Sequence, residues 1–68
     1  MKVRDFIKLI EADGWCYDHT TGSHRHYEHP TKRGAVSVSG KLGDEIPIGT
    51  LKMMFKQAQI KQQKGSKR

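Results

Sequence analysis

Two histidines and an arginine stand together near the middle of this sequence, directly after residues typical of a tight turn. The segment 20–27 reads Thr-Thr-Gly-Ser-His-Arg-His-Tyr, which puts His24, Arg25 and His26 at the start of a predicted β-strand. An imidazole can give or take a proton near neutral pH, and a guanidinium can hold a phosphate through paired hydrogen bonds. These residue types at this spacing predict chemistry on a phosphodiester, or binding of one.

His24 is the candidate for proton transfer in such a site. A histidine beside an RNA ribose could take the proton of the 2′-hydroxyl, which then attacks phosphorus; general-base help of this kind is worth roughly 10²–10⁴-fold in rate. Gly22 and Ser23 would let the backbone approach the phosphate and would offer an amide or hydroxyl donor. Arg25 or Lys41 could stabilise the charge that develops on the phosphoryl oxygens. A surface histidine beside a turn glycine is the competing interpretation.

His26 admits another kind of site. A His-x-His pair on one strand face can bind a divalent metal, and His19 lies on the neighbouring predicted strand. Metal sites usually need a third or fourth ligand, and no spacing in the sequence supplies one. His26 fits less well than His24 as a catalyst and is assigned to substrate binding, and we expect neither a metal nor a cofactor. His19 and His29 are predicted to be solvated residues at strand edges.

The remaining reactive or aromatic side chains have structural interpretations. Trp15 and Tyr17 could stack on bases, but their position directly after a helix-ending glycine favours the core. Cys16 has no basic neighbour to activate its thiol and is predicted to be a small packing residue. A single cysteine excludes an intramolecular disulfide and fits a reducing compartment. No apolar stretch suggests a signal peptide or a membrane span, so a cytoplasmic location is expected.

The positive charge is concentrated at one end of the chain. The 68 residues carry a formal net charge of +6, yet residues 1–60 hold nine Lys or Arg against seven Asp or Glu. Residues 61–68 add four cations and no acid, so we expect a flexible basic tail. The tail could solubilise the protein or contact nucleic acid. Charge alone is compatible with an RNA or DNA partner without establishing one.

Hydrophobic periodicity predicts an α+β domain. Helical stripes indicate one helix that ends at Asp13-Gly14 and a second that begins at Pro47 or Thr50 and runs through Ala58. Between them, strands are predicted over residues 15–20, 24–29 and 35–39, followed by a loop over residues 40–45. Each helix has one apolar face, so both should pack on the same side of a three-stranded antiparallel sheet.

Pleat alternation then separates the residues of the second strand. If Tyr27 points into the core, Arg25 shares its face, whereas His24 and His26 lie on the face left open to solvent or to a partner.

The order of these residues resembles that of the HicA toxins, small mRNA interferases of toxin–antitoxin pairs. The resemblance covers about Val3 to Ile60 and is carried by a series of short motifs. They are Glu11-Ala12-Asp13-Gly14-Trp15, Gly22-Ser23-His24 followed by Tyr27, His29-Pro30, Val36-Ser37-Val38, Gly49-Thr50-Leu51 and Lys56-Gln57-Ala58. The resemblance implies a toxin domain over residues 1–60 with a double-stranded-RNA-binding-domain-like fold.

The resemblance also implies an activity. The implied activity is metal-independent endoribonuclease cleavage of mRNA, which a HicB-type antitoxin blocks. We expect the free protein to be a monomer or a weak dimer. His24 takes the place of the catalytic histidine, and Gly22 and Ser23 are the motif neighbours that shape its site. Many relatives have a second histidine, in a Pro-x-His segment, where this chain reads Ser39-Gly40-Lys41. This departure leaves Arg25 or Lys41 as the phosphate partner.

Two other functions stay open at this point. A non-catalytic RNA-binding module of similar fold would contact the backbone and the 2′-hydroxyls of duplex RNA. Lys52 and Lys56 on the last helix could then contact phosphates. A protein-interaction partner that binds only an antitoxin is the other alternative.

Relatives usually end the last helix in Ala-Gly-Leu; here Gln59 could extend that helix into the tail.

Overall fold

The chain folds in the order helix, three strands, helix. The computed structural model describes residues 1–60; the predicted basic tail lies outside the described residues. The elements are α1 (Val3–Ala12), β1 (Cys16–Thr21), β2 (His24–Glu28), β3 (Ala35–Ser39) and α2 (Ile48–Ala58). The strands form an antiparallel sheet in the order β1-β2-β3. The predicted double-stranded-RNA-binding-domain-like fold is thereby confirmed.

Both helices pack their apolar stripes on one face of the sheet. That face contributes Tyr27, Val36 and Val38, which the pleat places on the same side and which are all buried. Phe6 of α1 and Phe55 of α2 meet edge to face over them, with ring centroids 5.6 Å apart. Burial of apolar area supplies the main favourable term in folding, so this single layer of contacts holds the domain together. Within residues 1–60, no helix covers the opposite face of the sheet.

The β1–β2 connection is a two-residue hairpin turn. Thr21 pairs with His24, which leaves Gly22 and Ser23 as the central residues. Gly22 has φ +61°, and no positive φ occurs at Ser23. Positive φ at the first central position alone is the sign pattern of a type II′ turn, which matches the twist of paired strands and favours glycine there. The turn thus fixes His24 as the first residue of β2.

A bulge in β1 changes which side chains face the core. Tyr17 pairs with Tyr27 and His19 with His26, so Asp18 has no partner on β2. Tyr17 contacts the core-side ring of Tyr27, whereas His19 lies on the opposite face. β1 is an edge strand whose residues are all exposed: Tyr17 is 53% exposed and Cys16 is exposed too. The predictions that these two residues are packed in the core were wrong.

His29 is a structural residue, which corrects its predicted place as a solvated edge residue. Its side chain is only 8% exposed and lies edge-on to Trp15, with ring centroids 5.1 Å apart. Nδ1 accepts hydrogen bonds from the backbone N–H groups of Thr31 and Lys32, both at 3.1 Å, so the ring proton is on Nε2. Nε2 then donates to the carbonyl of Asp13 at 2.7 Å and ties the end of α1 to the β2–β3 turn.

Helix α2 ends at Ala58 because Gln59 adopts a left-handed conformation with φ 56°. The indole N–H of Trp15 and the Lys32 ammonium both donate to the carbonyl of Ala58. The side-chain amide of Gln59 donates to the carbonyl of Arg33 at 2.7 Å and helps to hold this cap in place. The prediction that Gln59 extends the helix was therefore wrong.

Candidate functional site

His24 lies beside the hairpin turn between β1 and β2. We call this end of the sheet its open end. It is exposed and pairs with Thr21 on β1 and Ser39 on β3, so it begins the central strand with a neighbour on each side. Among the described residues, no side chain hydrogen-bonds to its ring. An exposed imidazole at this position can meet a polymer laid across the end of the sheet.

His26 lies two residues further along the same face and is held on two sides. Its ring stacks on that of His19, with centroids 4.5 Å apart and an interplanar angle of 18°. Its Nδ1 lies 3.2 Å from the hydroxyl oxygen of Ser37 on β3. His19 in turn donates from Nδ1 to the carboxylate of Asp18 at 2.7 Å, because an ionised carboxylate can only accept. His26 is half-buried and its ring orientation is fixed, unlike that of His24.

Arg25 faces the other side of the sheet. Its guanidinium donates from Nη1 to the carbonyl of Gly40 at 2.9 Å, on the side where Tyr27 is buried. Adjacent strand residues point to opposite faces, so this contact places Arg25 away from His24. The structure agrees with the separation that pleat alternation predicted.

A cleft opens where the β1–β2 turn meets the loop after β3. It has a volume of about 500 Å³, and it is lined by Thr20, Gly22, Ser23, Arg25, Gly40, Lys41 and Asp44. Two cations and one carboxylate thus face the space, which leaves it positive. Asp44 is partly committed, because its carboxylate accepts the backbone N–H of Lys41 at 3.0 Å. The cleft has room for a phosphate group, and its two cations would attract one.

The loop that forms the far wall of the cleft is fixed to the start of α1. The backbone N–H groups of Val3 and Arg4 donate to the carbonyls of Asp44 and Leu42 at 2.9 and 3.0 Å. These bonds satisfy two of the donors that a helix leaves free at its N-terminus. The exposed carboxylate of Glu45 accepts a hydrogen bond from the amino group of Met1, which lowers the pKa of Glu45.

The residues predicted to form one site therefore belong to two neighbouring groups. Gly22, Ser23, Arg25 and Lys41 line the cleft, whereas His24 and His26 lie on the open face of the sheet. The hairpin turn joins the groups. Across residues 1–60, no three His, Cys, Asp or Glu side chains converge as metal ligands would.

Three residues that support these two groups were not among the predicted site residues. Asp18 and Ser37 orient the histidine rings, and Asp44 holds the loop that carries Lys41. The register of β2 with β3 puts Ser37 opposite His26, and a correct strand pairing could have found it. Asp18 has no comparable signal, because its place depends on the bulge.

A three-stranded sheet with both helices on one face and an exposed polar face defines a small α+β protein of the double-stranded-RNA-binding-domain-like class. The family described as HicA toxin of bacterial toxin–antitoxin matches residues 3–60, and the chain belongs to that family. It is thus a ribonuclease-type toxin in the general sense of that family, with an antitoxin as partner and RNA as target. No curated protein matches the chain significantly. Within residues 1–60, neither helix has the length and apolar content that crossing a membrane requires.

Proposed function

We propose that the protein is an endoribonuclease toxin that cleaves mRNA, with His24 as the general acid/base and no metal in the chemical step. The observation that carries the proposal is the position of His24: an exposed imidazole at the open end of the sheet, one turn away from a cationic cleft. Membership of the HicA toxin family supports the ribonuclease class.

The reaction begins with proton transfer to His24. A ring nitrogen takes the proton of a ribose 2′-hydroxyl, and the oxygen attacks the adjacent phosphorus. General-base help of this kind contributes about 10²–10⁴-fold. His26 contacts the substrate from the same face. An exposed, unconstrained ring suits a step in which imidazole must approach a flexible RNA strand.

The cleft positions the RNA. Arg25 and Lys41 bind a phosphate next to the scissile one, and the turn of Gly22 and Ser23 offers backbone and hydroxyl donors close to it. A strand that crosses the hairpin turn would reach His24 on the other side. Binding in the cleft is then separate from chemistry on the open face. Phosphate contacts in the cleft fix the register of the RNA strand, and His24 acts on one phosphodiester bond.

We further propose that a HicB-type antitoxin covers this end of the molecule with acidic or polar groups. Arg25 and Lys41 are the cations that such groups would neutralise. Electrostatic complementarity of this kind weakens as salt rises. Titration of the complex with salt tests the idea, and a dissociation constant that does not respond to salt would contradict an electrostatic mask.

Growth arrest tests the function in cells. Expression of the native chain should arrest growth and deplete mRNA, and expression of His24→Ala at the same level should do neither. His24 is exposed, so its removal costs little packing and the variant should fold. Arrest by the variant with loss of mRNA would place the chemistry elsewhere. Arrest by both without loss of mRNA would favour a binding protein over a nuclease.

A further inference from the structure

We infer that His26 is a second catalytic residue, the general acid that protonates the leaving oxygen when RNA is cleaved. This inference rests on the proposed function, since it assigns a role within the same reaction. Its basis is a chain of side-chain contacts that runs from Asp18 through His19 to His26 and Ser37. These contacts fix the imidazole of His26, whereas the neighbouring imidazole of His24 is unconstrained.

The spacing of the two histidines suits opposite sides of a reacting phosphate. His24 and His26 are alternate residues of β2 and share the open face. Strand residues two apart are separated by about 7 Å along the strand. In an in-line displacement, the attacking and leaving oxygens lie on opposite sides of phosphorus, so a base and an acid must approach from two directions. Two imidazoles at this separation can flank one phosphodiester.

Among residues 1–60, the contacts of His26 leave one ring nitrogen for the substrate. In the imidazolium form both nitrogens carry protons, and Nδ1 then donates to the hydroxyl oxygen of Ser37. Nε2–H is left as the donor to the leaving oxygen. The stacked ring of His19 holds His26 from β1, and the Asp18 carboxylate holds His19. His19 and Asp18 are thus positioning residues.

Cleavage of the RNA strand moves one proton to His24 and one proton from His26. His24 takes the proton of the 2′-hydroxyl as the 2′-oxygen forms its bond to phosphorus. The bond from phosphorus to the 5′-oxygen breaks, and the electron pair stays on that oxygen. Nε2 of His26 supplies the proton that the oxygen needs. The products are a 2′,3′-cyclic phosphate and a 5′-hydroxyl, with His24 protonated and His26 neutral.

An RNA with sulfur in place of the 5′-bridging oxygen separates an acid from a merely structural residue. A thiolate leaves without protonation, because a thiol ionises at about pH 8.5 and an alcohol only far above that. The experiment compares the native chain, His24→Ala and His26→Asn on both substrates, with thermal unfolding as the fold control. Asparagine retains an amide that can bond to Ser37 but has no group at the place of Nε2. His26→Ala serves as a second variant.

The inference predicts that His26→Asn loses about 10²–10⁴-fold on the oxygen substrate and comes within about tenfold of the native chain on the sulfur substrate. His24→Ala should lose activity on both. His19→Ala should show a smaller loss that sulfur also corrects, and His19→Phe, which retains a ring for stacking, should recover part of it. Full activity of His26→Asn on the oxygen substrate, or an equal loss on both, would overturn the role of His26. An inactive native chain would instead overturn the proposed function, and this inference with it.

Discussion

The rings of His19 and His26 are stacked across the β1–β2 pair, with their centroids 4.5 Å apart. The bulge at Asp18 makes this possible, because Tyr17 lies on the core side and regular alternation would place His19 there too. The same bulge brings the Asp18 carboxylate to Nδ1 of His19. This bulge in the edge strand thus places the two side chains that hold the ring of His26 on the open face.

Gly14 should be far less tolerant of substitution than Gly34. Both have positive φ, +110° and +84°, so alanine at either costs about 1–3 kcal/mol of backbone strain. A Cβ at Gly14 would also lie 2.7 Å from Nε2 of His29, whose ring is bonded at both nitrogens and cannot move aside cheaply. In the described part of the chain, nothing lies within 4 Å of a Cβ at Gly34. Urea denaturation should show a greater loss of unfolding free energy for Gly14→Ala, and equal losses would mean that the His29 ring is not fixed.

Tyr27 should make stability depend on alkaline pH. Burial is the largest cause that raises the pKa of its phenol above the ordinary 10.0. The unfolded chain therefore loses this proton first as pH rises past about 10. The contribution of Tyr27 to the free energy of unfolding is complete below that pH and declines above it. The decline in unfolding free energy between about pH 9 and about pH 11 should be smaller in Tyr27→Phe. The exposed Tyr17 supplies the control variant Tyr17→Phe, and an identical decline in all three proteins would refute the assignment.

Lys41 should contribute to RNA affinity rather than to the chemical step. Lys41→Ala removes one phosphate contact in the cleft, so binding should weaken and the slope of log K against log salt should fall in magnitude by about 0.7 for a single strand. At saturating RNA the cleavage rate should change little. The exposed Lys8 on α1 is the matched control, and its alanine variant should retain the slope. A slope that is the same in all three proteins would place the phosphate outside the cleft.

The regular part of the fold followed from the sequence. Alternation along Val36 and Val38 predicted β3 at its observed bounds, and the apolar stripes predicted both helices. The turn predicted over residues 21–23 and the pleat of β2 were enough to place His24 and Arg25 on opposite faces. These inferences worked because they depend on local period and on which face is buried.

What the sequence did not reveal depends on contacts between distant residues. A one-residue bulge puts Tyr17 and His19 on opposite faces of the sheet, and no local pattern marks it. His29 is ordered by partners at Asp13 and Lys32, which only the folded chain brings together. Gln59 adopts a left-handed conformation that its own propensity does not favour, and its side chain is bonded to the carbonyl of Arg33, which is distant in sequence.

The most direct test of the central claim is the cleavage rate of a single-stranded RNA in EDTA, measured for the native chain and for His24→Ala. Circular dichroism on the same samples shows that both are folded, and Lys8→Ala serves as a surface control. We expect the native chain and Lys8→Ala to cleave, and His24→Ala to be slower by at least about 10²-fold. Cleavage at the native rate by a folded His24→Ala would contradict the account. Activity of the native chain only without EDTA would contradict its metal-independent chemistry.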